Sequence, residues 1–221
     1  YSRQRDDSRR MIEITKIHFR DTGVIVSLSS GDSLVLPLDG VKLYALTAGK
    51  VIDHDEYGRL KEESDRFSCY RRALYCLSLR GRSVFELERY LLGKGFAKES
   101  VVEAVSRLLE RGYLDDYAFA VDHIRRKRGR RTVGKNRLLS ELLRKGVPGD
   151  VARRAIADHA GERVDGEDLY RLAAERFERL KGKKDGTRKL VFFLRQRGFE
   201  SDEIRRVVER LSGEDTMPEP E

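Results

Sequence analysis

The chain has 221 residues, 38% charged and 39% hydrophobic, with no Trp, a formal net charge of +8 and a pI near 9.5. That apolar share suits the thin cores of a helical array, and no run approaches the roughly 20 apolar residues of a membrane-spanning helix. The positive balance points to an acidic partner; with no signal peptide at Tyr1 and only two cysteines, Cys69 and Cys76, reading as reduced core thiols, a cytoplasmic location is expected.

Residues 1–10 (YSRQRDDSRR) are polar and read as a disordered tail. Residues 11–65 read as a small β-rich extension. MIEITKIHF is rich in β-branched residues, Val24, Val26 and Leu28 alternate after the turn at DTG, and Leu34, Leu36 and Leu38 alternate after SSGDS. This predicts a three-stranded meander closed by Pro37. A short helix follows, capped by Asp39, striped by Val41, Tyr44, Ala45 and Ala48, and ended by Gly49. A second helix starts near Asp53 or Asp55 and runs through EYGRLKEESD.

From residue 66 the signal is helical and repeats. YLLGKGFAKESVVEAVSRL, ELLRKGVPGDVARRAIADH and FLRQRGFESDEIRRVVERL align on Gly95, Gly146 and Gly198, with offsets of 51 and 52 residues. Each glycine has Leu four residues before it, a basic residue one before and an apolar residue one after. The fold class is therefore mainly α: three tandem three-helix, helix-turn-helix-like repeats in a curved array, behind the β-meander and helix extension. Repeats span residues 66–116, 117–168 and 169–212, and residues 213–221 form a second disordered tail. The first repeat's helices fall at about 66–80, 83–93 and 98–111. Each glycine ends a helix in a left-handed conformation. Pro148 and one residue fewer predict a different turn in the second repeat. Ser201, with Asp202 and Glu203, caps the last helix.

No catalytic or metal-binding set emerges, so neither enzyme nor cofactor is expected. His18, His54, His123 and His159 are scattered, no Gly-rich phosphate loop follows a strand, and no nucleophile has a base in prospect.

Charge is concentrated. Residues 121–163 carry 13 basic and 5 acidic side chains, a surplus equal to that of the whole chain. Its densest part is HIRRKRGRR, residues 123–131. Arg125, Arg126, Lys127, Arg128, Arg130 and Arg131 straddle a helix that frays near Arg128 and a loop at 129–135. Lys135, Arg137, Arg144 and Lys145 extend the patch. Six clustered cations repel one another unless an acidic surface answers them, so the patch is read as binding phosphates or an acidic protein; the alternative is a solvated basic face. The run holds no aromatic, which favours backbone contact without sequence preference over base stacking. A secondary patch, Lys181, Lys183, Lys184, Arg188 and Lys189, lies at the equivalent loop of the third repeat.

GYLDDYAFA (112–120) resembles the hallmark of the RecX family, bacterial regulators of the recombinase RecA, at Tyr113, Leu114, Asp115, Asp116, Phe119 and Ala120. Gly134, Leu138, Glu141, Leu142 and Gly146 are similar to the family's second-repeat motif. The resemblance covers residues 66–212. It implies a non-enzymatic inhibitor or modulator that binds RecA–single-stranded-DNA filaments in their groove and restrains recombination, ATPase and DNA-repair or SOS activity. Its partners would be the RecA filament and single-stranded DNA or other nucleic acid without sequence specificity, with no membrane. The alternative from the residues alone is a direct DNA-binding protein or repressor of helix-turn-helix type. The hallmark itself reads as structural. Asp115 and Asp116 sit at a helix start, where one caps it, and Phe119 lies opposite the stripe of Tyr117, Ala120, Val121 and Ile124. That helix needs apolar cover on two sides, as one joining two repeats does.

Overall fold

A computed structural model describes residues 11–128, 132–160 and 166–214. The chain is mainly helical after a small antiparallel sheet, and its contacts divide it into two units. The first holds the described residues up to Gly81 together with Leu87–Leu114; the second holds Arg82–Glu86 and the described residues from Asp115 onward.

In the first unit, β1 (Ile12–Arg20), β2 (Gly23–Leu28) and β3 (Ser33–Leu36) form the predicted meander. Their alternation turns Ile14, Val24, Val26, Leu34 and Leu36 into one apolar core. The sheet has a fourth strand that the sequence reading missed, giving the order β3-β2-β1-β4. β4 (Val51–Ile52) pairs Ile52 with Ile12 and Val51 with Glu13; two residues are too few to show alternation. The helix expected to end at Gly49 is also corrected. α1 spans only Gly40–Leu43, Asp39 makes no side-chain cap bond, and Ala45 turns left-handed at φ 44°. That early stop sends Leu46 into the sheet core instead.

α2 (His54–Leu79) is a single helix of 26 residues, capped by Asp53, which accepts from Glu56 N at 2.8 Å. It runs through residue 65, where the sequence suggested a boundary. KEESD shows no apolar stripe because its buried residue is Ser64, whose hydroxyl accepts from Val35 N of β3 at 2.9 Å. The hydroxyl satisfies an edge-strand donor that water would otherwise hold. α3 (Val84–Leu92) and α4 (Lys98–Glu110) follow, and α2 packs on α4. Cys69 and Cys76 are buried free thiols, and burial pushes Cys69 up to about 11.

The second unit holds α5 (Asp116–Arg128), α6 (Lys135–Arg144) and α7 (Gly149–Ala160), packed around Phe119, Ile124, Leu138, Leu142 and Ala155. α8 (Gly166–Glu178), α9 (Gly186–Gln196) and α10 (Ser201–Glu214) enclose a separate core of Leu169, Ala173, Leu190, Leu194 and Phe199. α10 is capped differently from expectation: the Glu203 carboxylate accepts from Glu200 N at 2.8 Å, placing Ser201 inside the helix.

The glycine anchors do what their conformation requires. Gly95, Gly146 and Gly198 have φ of 87°, 76° and 83°. After each, an apolar residue donates its N–H to the Leu five residues back: Phe96 to Leu91, Val147 to Leu142 and Phe199 to Leu194, at 3.4, 3.1 and 3.3 Å. This is the Schellman closure. The second repeat's turn therefore does not differ from the others. Pro148 lies immediately before α7, where a helix has no use for its N–H, and its carbonyl accepts from Ala152 N.

A second contact recurs at the start of the middle helices. Gly134 N donates to Arg197 O at 2.9 Å and Asn136 N to Gly198 O at 3.0 Å. The first orphan donors of α6 are thus satisfied by the α9–α10 turn. Backbone meets backbone so closely that a Cβ on Gly134 would overlap the Gly198 carbonyl, and one on Gly198 would overlap Arg137. One repeat earlier, Ser83 holds the equivalent position. Its hydroxyl accepts from Glu86 N, donates to Lys145 O, and leaves Phe85 against Gly146.

Candidate basic interface around a buried carboxylate

The two hallmark aspartates cap two different helices. Asp115 accepts from Tyr117 N at 2.7 Å and Ala118 N at 3.1 Å, closing α5. Asp116 accepts from Val84 N at 2.9 Å, closing α3 from 32 residues away. Burial, with the Asp115 charge beside it, raises the Asp116 carboxyl above its ordinary value, against the pull of the Val84 N–H. Its ionised form is therefore held at a cost, and its use lies in accepting a hydrogen bond. Asp116→Asn keeps an acceptor without the charge and should leave stability nearly unchanged, whereas Asp116→Ala should cost about 1–2 kcal/mol in denaturant unfolding. Of the remaining hallmark residues, Leu114, Phe119 and Ala120 are buried, while Tyr113 is 60% exposed.

Phe119 begins a second buried line on α5. One turn on, His123 stacks beside it with ring centroids 6.4 Å apart, and one further turn brings Lys127. All three face Glu141 or its neighbours on α6. Glu141 is only 8% exposed and lies between the fully buried Leu138 and Leu142. Its Oε2 receives His123 Nε2 at 3.1 Å and Lys127 Nζ at 2.9 Å, and its Oε1 receives Arg137 Nε at 3.3 Å. Burial alone would raise the Glu141 carboxyl, but the bonds from Lys127, His123 and Arg137 outweigh it and hold it below the usual range. His123 is shifted down, first by burial, against the attraction of Glu141. It is neutral at pH 7, so Nε2 carries the proton given to the carboxylate.

This cluster divides the predicted patch. Lys127 and Arg137 are committed to Glu141, Arg126 pairs with Asp122 at 2.9 Å, and Lys145 pairs with Glu86 at 2.8 Å while lying 5.6 Å from the Phe119 ring. Arg125, Lys135 and Arg144 are exposed and form no ion pair among the described residues. Arg130, Arg131 and the Arg128 side chain lie outside the described residues; α5 itself runs to Arg128. In the secondary patch all five cations are exposed. Lys181 pairs with Glu178 at 3.2 Å, and Lys189 donates to Lys184 O at 2.9 Å.

Sequence reasoning passed over His123 as one of four scattered histidines. The signal was present: the residue sits one turn after Phe119 on the helix side already assigned as apolar, so it is buried and needs a partner. Among the described residues no group of three His, Cys, Asp or Glu could hold a metal, and no helix is long and apolar enough to cross a membrane.

Residues 69–108 match the family described as RecX, first three-helix domain. A regulatory protein RecX of Chlorobium limicola is 39% identical over 141 residues, covering 63% of this chain and 86% of the relative. That of Clostridium perfringens is 25% identical and covers 93% and 97%. Among solved structures, a regulatory protein RecX matches with a TM-score of 0.74 at 20% identity, over 90% of this chain and 99% of that one. RecX from Lactobacillus salivarius matches at 0.62 and 21%, over 67% and 97%. Hallmark, repeat and relatives agree: the chain belongs to the RecX family of regulatory proteins.

Proposed function

We propose that this chain is a non-enzymatic, cytoplasmic regulator that binds RecA–single-stranded-DNA filaments in their groove and restrains recombination, ATP hydrolysis and the DNA-repair or SOS activity that follows. One observation carries the binding surface. Arg125, Lys135 and Arg144 stay exposed and uncompensated on two helices locked together through Glu141. Internal ion pairs position the scaffold; the unanswered cations meet an acidic filament surface or DNA phosphate. The exposed Lys183, Lys184, Arg188 and Lys189, before and at the start of α9, supply a second such element.

Strand exchange and ATPase by the recombinase, with this protein added from sub-stoichiometric to few-fold excess, test the reading. Inhibition is expected, and Arg125→Gln/Lys135→Gln/Arg144→Gln should require several-fold more protein for the same effect. No effect of the native chain at stoichiometric ratios removes the proposal. If the patch meets single-stranded phosphate, log affinity falls with log salt by about 0.7 per phosphate neutralised; a flat slope directs it to protein. A base-reading role for the third helices is disfavoured by exposed carboxylates at Glu99, Glu110, Asp202 and Glu209.

A further inference from the structure

The sheet of the first unit has two edges, and they differ. The β3 edge is closed: Val35 N points outward and donates to the Ser64 hydroxyl of α2 at 2.9 Å. The β1 edge is covered at one end only. β4 lies beside Ile12 and Glu13, Ile14 N donates to Lys50 O, and Gly49 N donates to Ile14 O, both at 2.8 Å. Past Ile14, no described strand pairs with this side of β1.

Alternation identifies the groups left over. Because Val35 bonds outward, Val24 and Val26 bond toward β3, and Gly23, Ile25 and Ser27 bond toward β1. Their partners Arg20, His18 and Lys16 are the inward-bonding residues of β1, so Ile17 and Phe19 bond outward. The irregularity between Ile14 and Lys16 sets this register; an unbroken strand would turn Lys16 and His18 to the edge instead. The N–H and C=O groups of Ile17 and Phe19 have no partner among the described residues.

The side chains on either face of this bare ladder select what can pair with it. On one face Ile17 packs against the sheet core, and Phe19 is 60% exposed. On the other stand Lys16, His18 and Arg20, all exposed, and neither Lys16 nor Arg20 forms an ion pair among the described residues. A second copy docked antiparallel through both Ile17 and Phe19 sets Lys16 opposite Arg20 twice, and like charges directly opposite destabilise a strand pair. The same row attracts a strand with a carboxylate at every second position. Its intervening apolar side chains then lie beside Ile17 and Phe19.

We infer that the outer edge of β1, residues 16–20, is a docking site for an extended acidic segment of a partner protein, which joins the sheet as a fifth strand. The partner's main chain bonds to Ile17 and Phe19, and its carboxylates face Lys16 and Arg20. The site uses neither basic patch and lies outside residues 69–108, which match the family.

The test titrates the full chain with a capped Glu-Val-Glu-Val-Glu-Val-Glu heptapeptide, read by amide NMR shifts and hydrogen exchange at Ile17 and Phe19. Both amides should shift and become protected. N-methylation of the valines, whose N–H groups face β1, should weaken binding at least about 5-fold. N-methylation of the glutamates, whose N–H groups face away, should not. Phe19→Pro should weaken binding by a similar factor with an unchanged melting profile, because the Phe19 N–H takes no part in the β1–β2 ladder. Lys16→Glu/Arg20→Glu should transfer the preference to the Lys-Val counterpart of the peptide. Four results overturn the inference: no response of either amide at millimolar peptide, equal binding with and without valine methylation, native affinity in Phe19→Pro, or a dimer of the chain that Phe19→Pro abolishes. Neither recombinase nor nucleic acid is present, so failure here is distinct from failure of the filament-binding proposal.

Discussion

Glu141→Ala should lower the stability of the second unit by about 3–5 kcal/mol, the usual cost of removing one partner from a buried charge cluster. The side chain is 8% exposed and answers three groups at once. Without it, the His123 N–H has no acceptor in a dry site, and Lys127 and Arg137 must turn to solvent. Glu141→Gln keeps one acceptor oxygen and should cost less. The double variant His123→Leu/Glu141→Leu, which removes both buried polar partners, should recover most of the loss, because an apolar pair of similar volume replaces a desolvated one. Hydrogen exchange of α5 and α6 amides measures each case. Losses equal in Glu141→Ala and in the double variant would mean that the bonds to Glu141 are themselves net stabilising, and that the cost does not come from a partner left buried and unpaired.

The same cluster sets a pH dependence. The Glu141 carboxyl is depressed in the folded state, so its stabilisation is present above its ordinary unfolded value and is lost as pH falls through the folded one. The His123 imidazole is also depressed; the unfolded chain takes its proton first, and stability begins to fall below about pH 6.5. Both act in the same direction. Asp116, raised in the folded state, acts against them, because protonation relieves it as pH falls. Acid weakening should therefore begin near pH 6.5, deepen below about pH 4.5, and lose its upper phase in His123→Phe.

Gly198→Ala is the second large effect, expected at about 2–5 kcal/mol. A left-handed non-glycine residue costs about 1–2 kcal/mol, and overpacking adds about 1–3. The obstruction includes Arg137 backbone, which has no rotamer with which to give way. Gly95→Ala is the internal control. Its φ is 87°, yet open space surrounds its missing Cβ, so only the conformational part applies. Unfolding curves that rank Gly198→Ala level with Gly95→Ala would show that the close approach to α6 contributes nothing.

The glycine control also explains what could be read in the sequence. A left-handed helix end is a local requirement, so it marks the chain at each repeat, together with the Leu that accepts its closing bond. The hallmark was legible as capping for the same reason: Asp115 acts two residues away. Asp116 was not, since its partner Val84 is chosen by tertiary packing. α2 hid its continuity behind a buried serine, and β4 is shorter than any pattern. The patch was legible as composition only. Which cations face solvent depends on Glu141 meeting α5, and periodicity does not state that register.

The contact between the α6 start and the α9–α10 turn has a consequence for the growing chain. The donors Gly134 and Asn136 are synthesised some sixty residues before their acceptors, Arg197 and Gly198. As α6 leaves the ribosome its first amides have only water. The middle repeat gains its final capping bonds once the third has followed, so order should run back from the C-terminal repeat toward the middle one. A chain released early would present that unfinished helix start to proteases and chaperones.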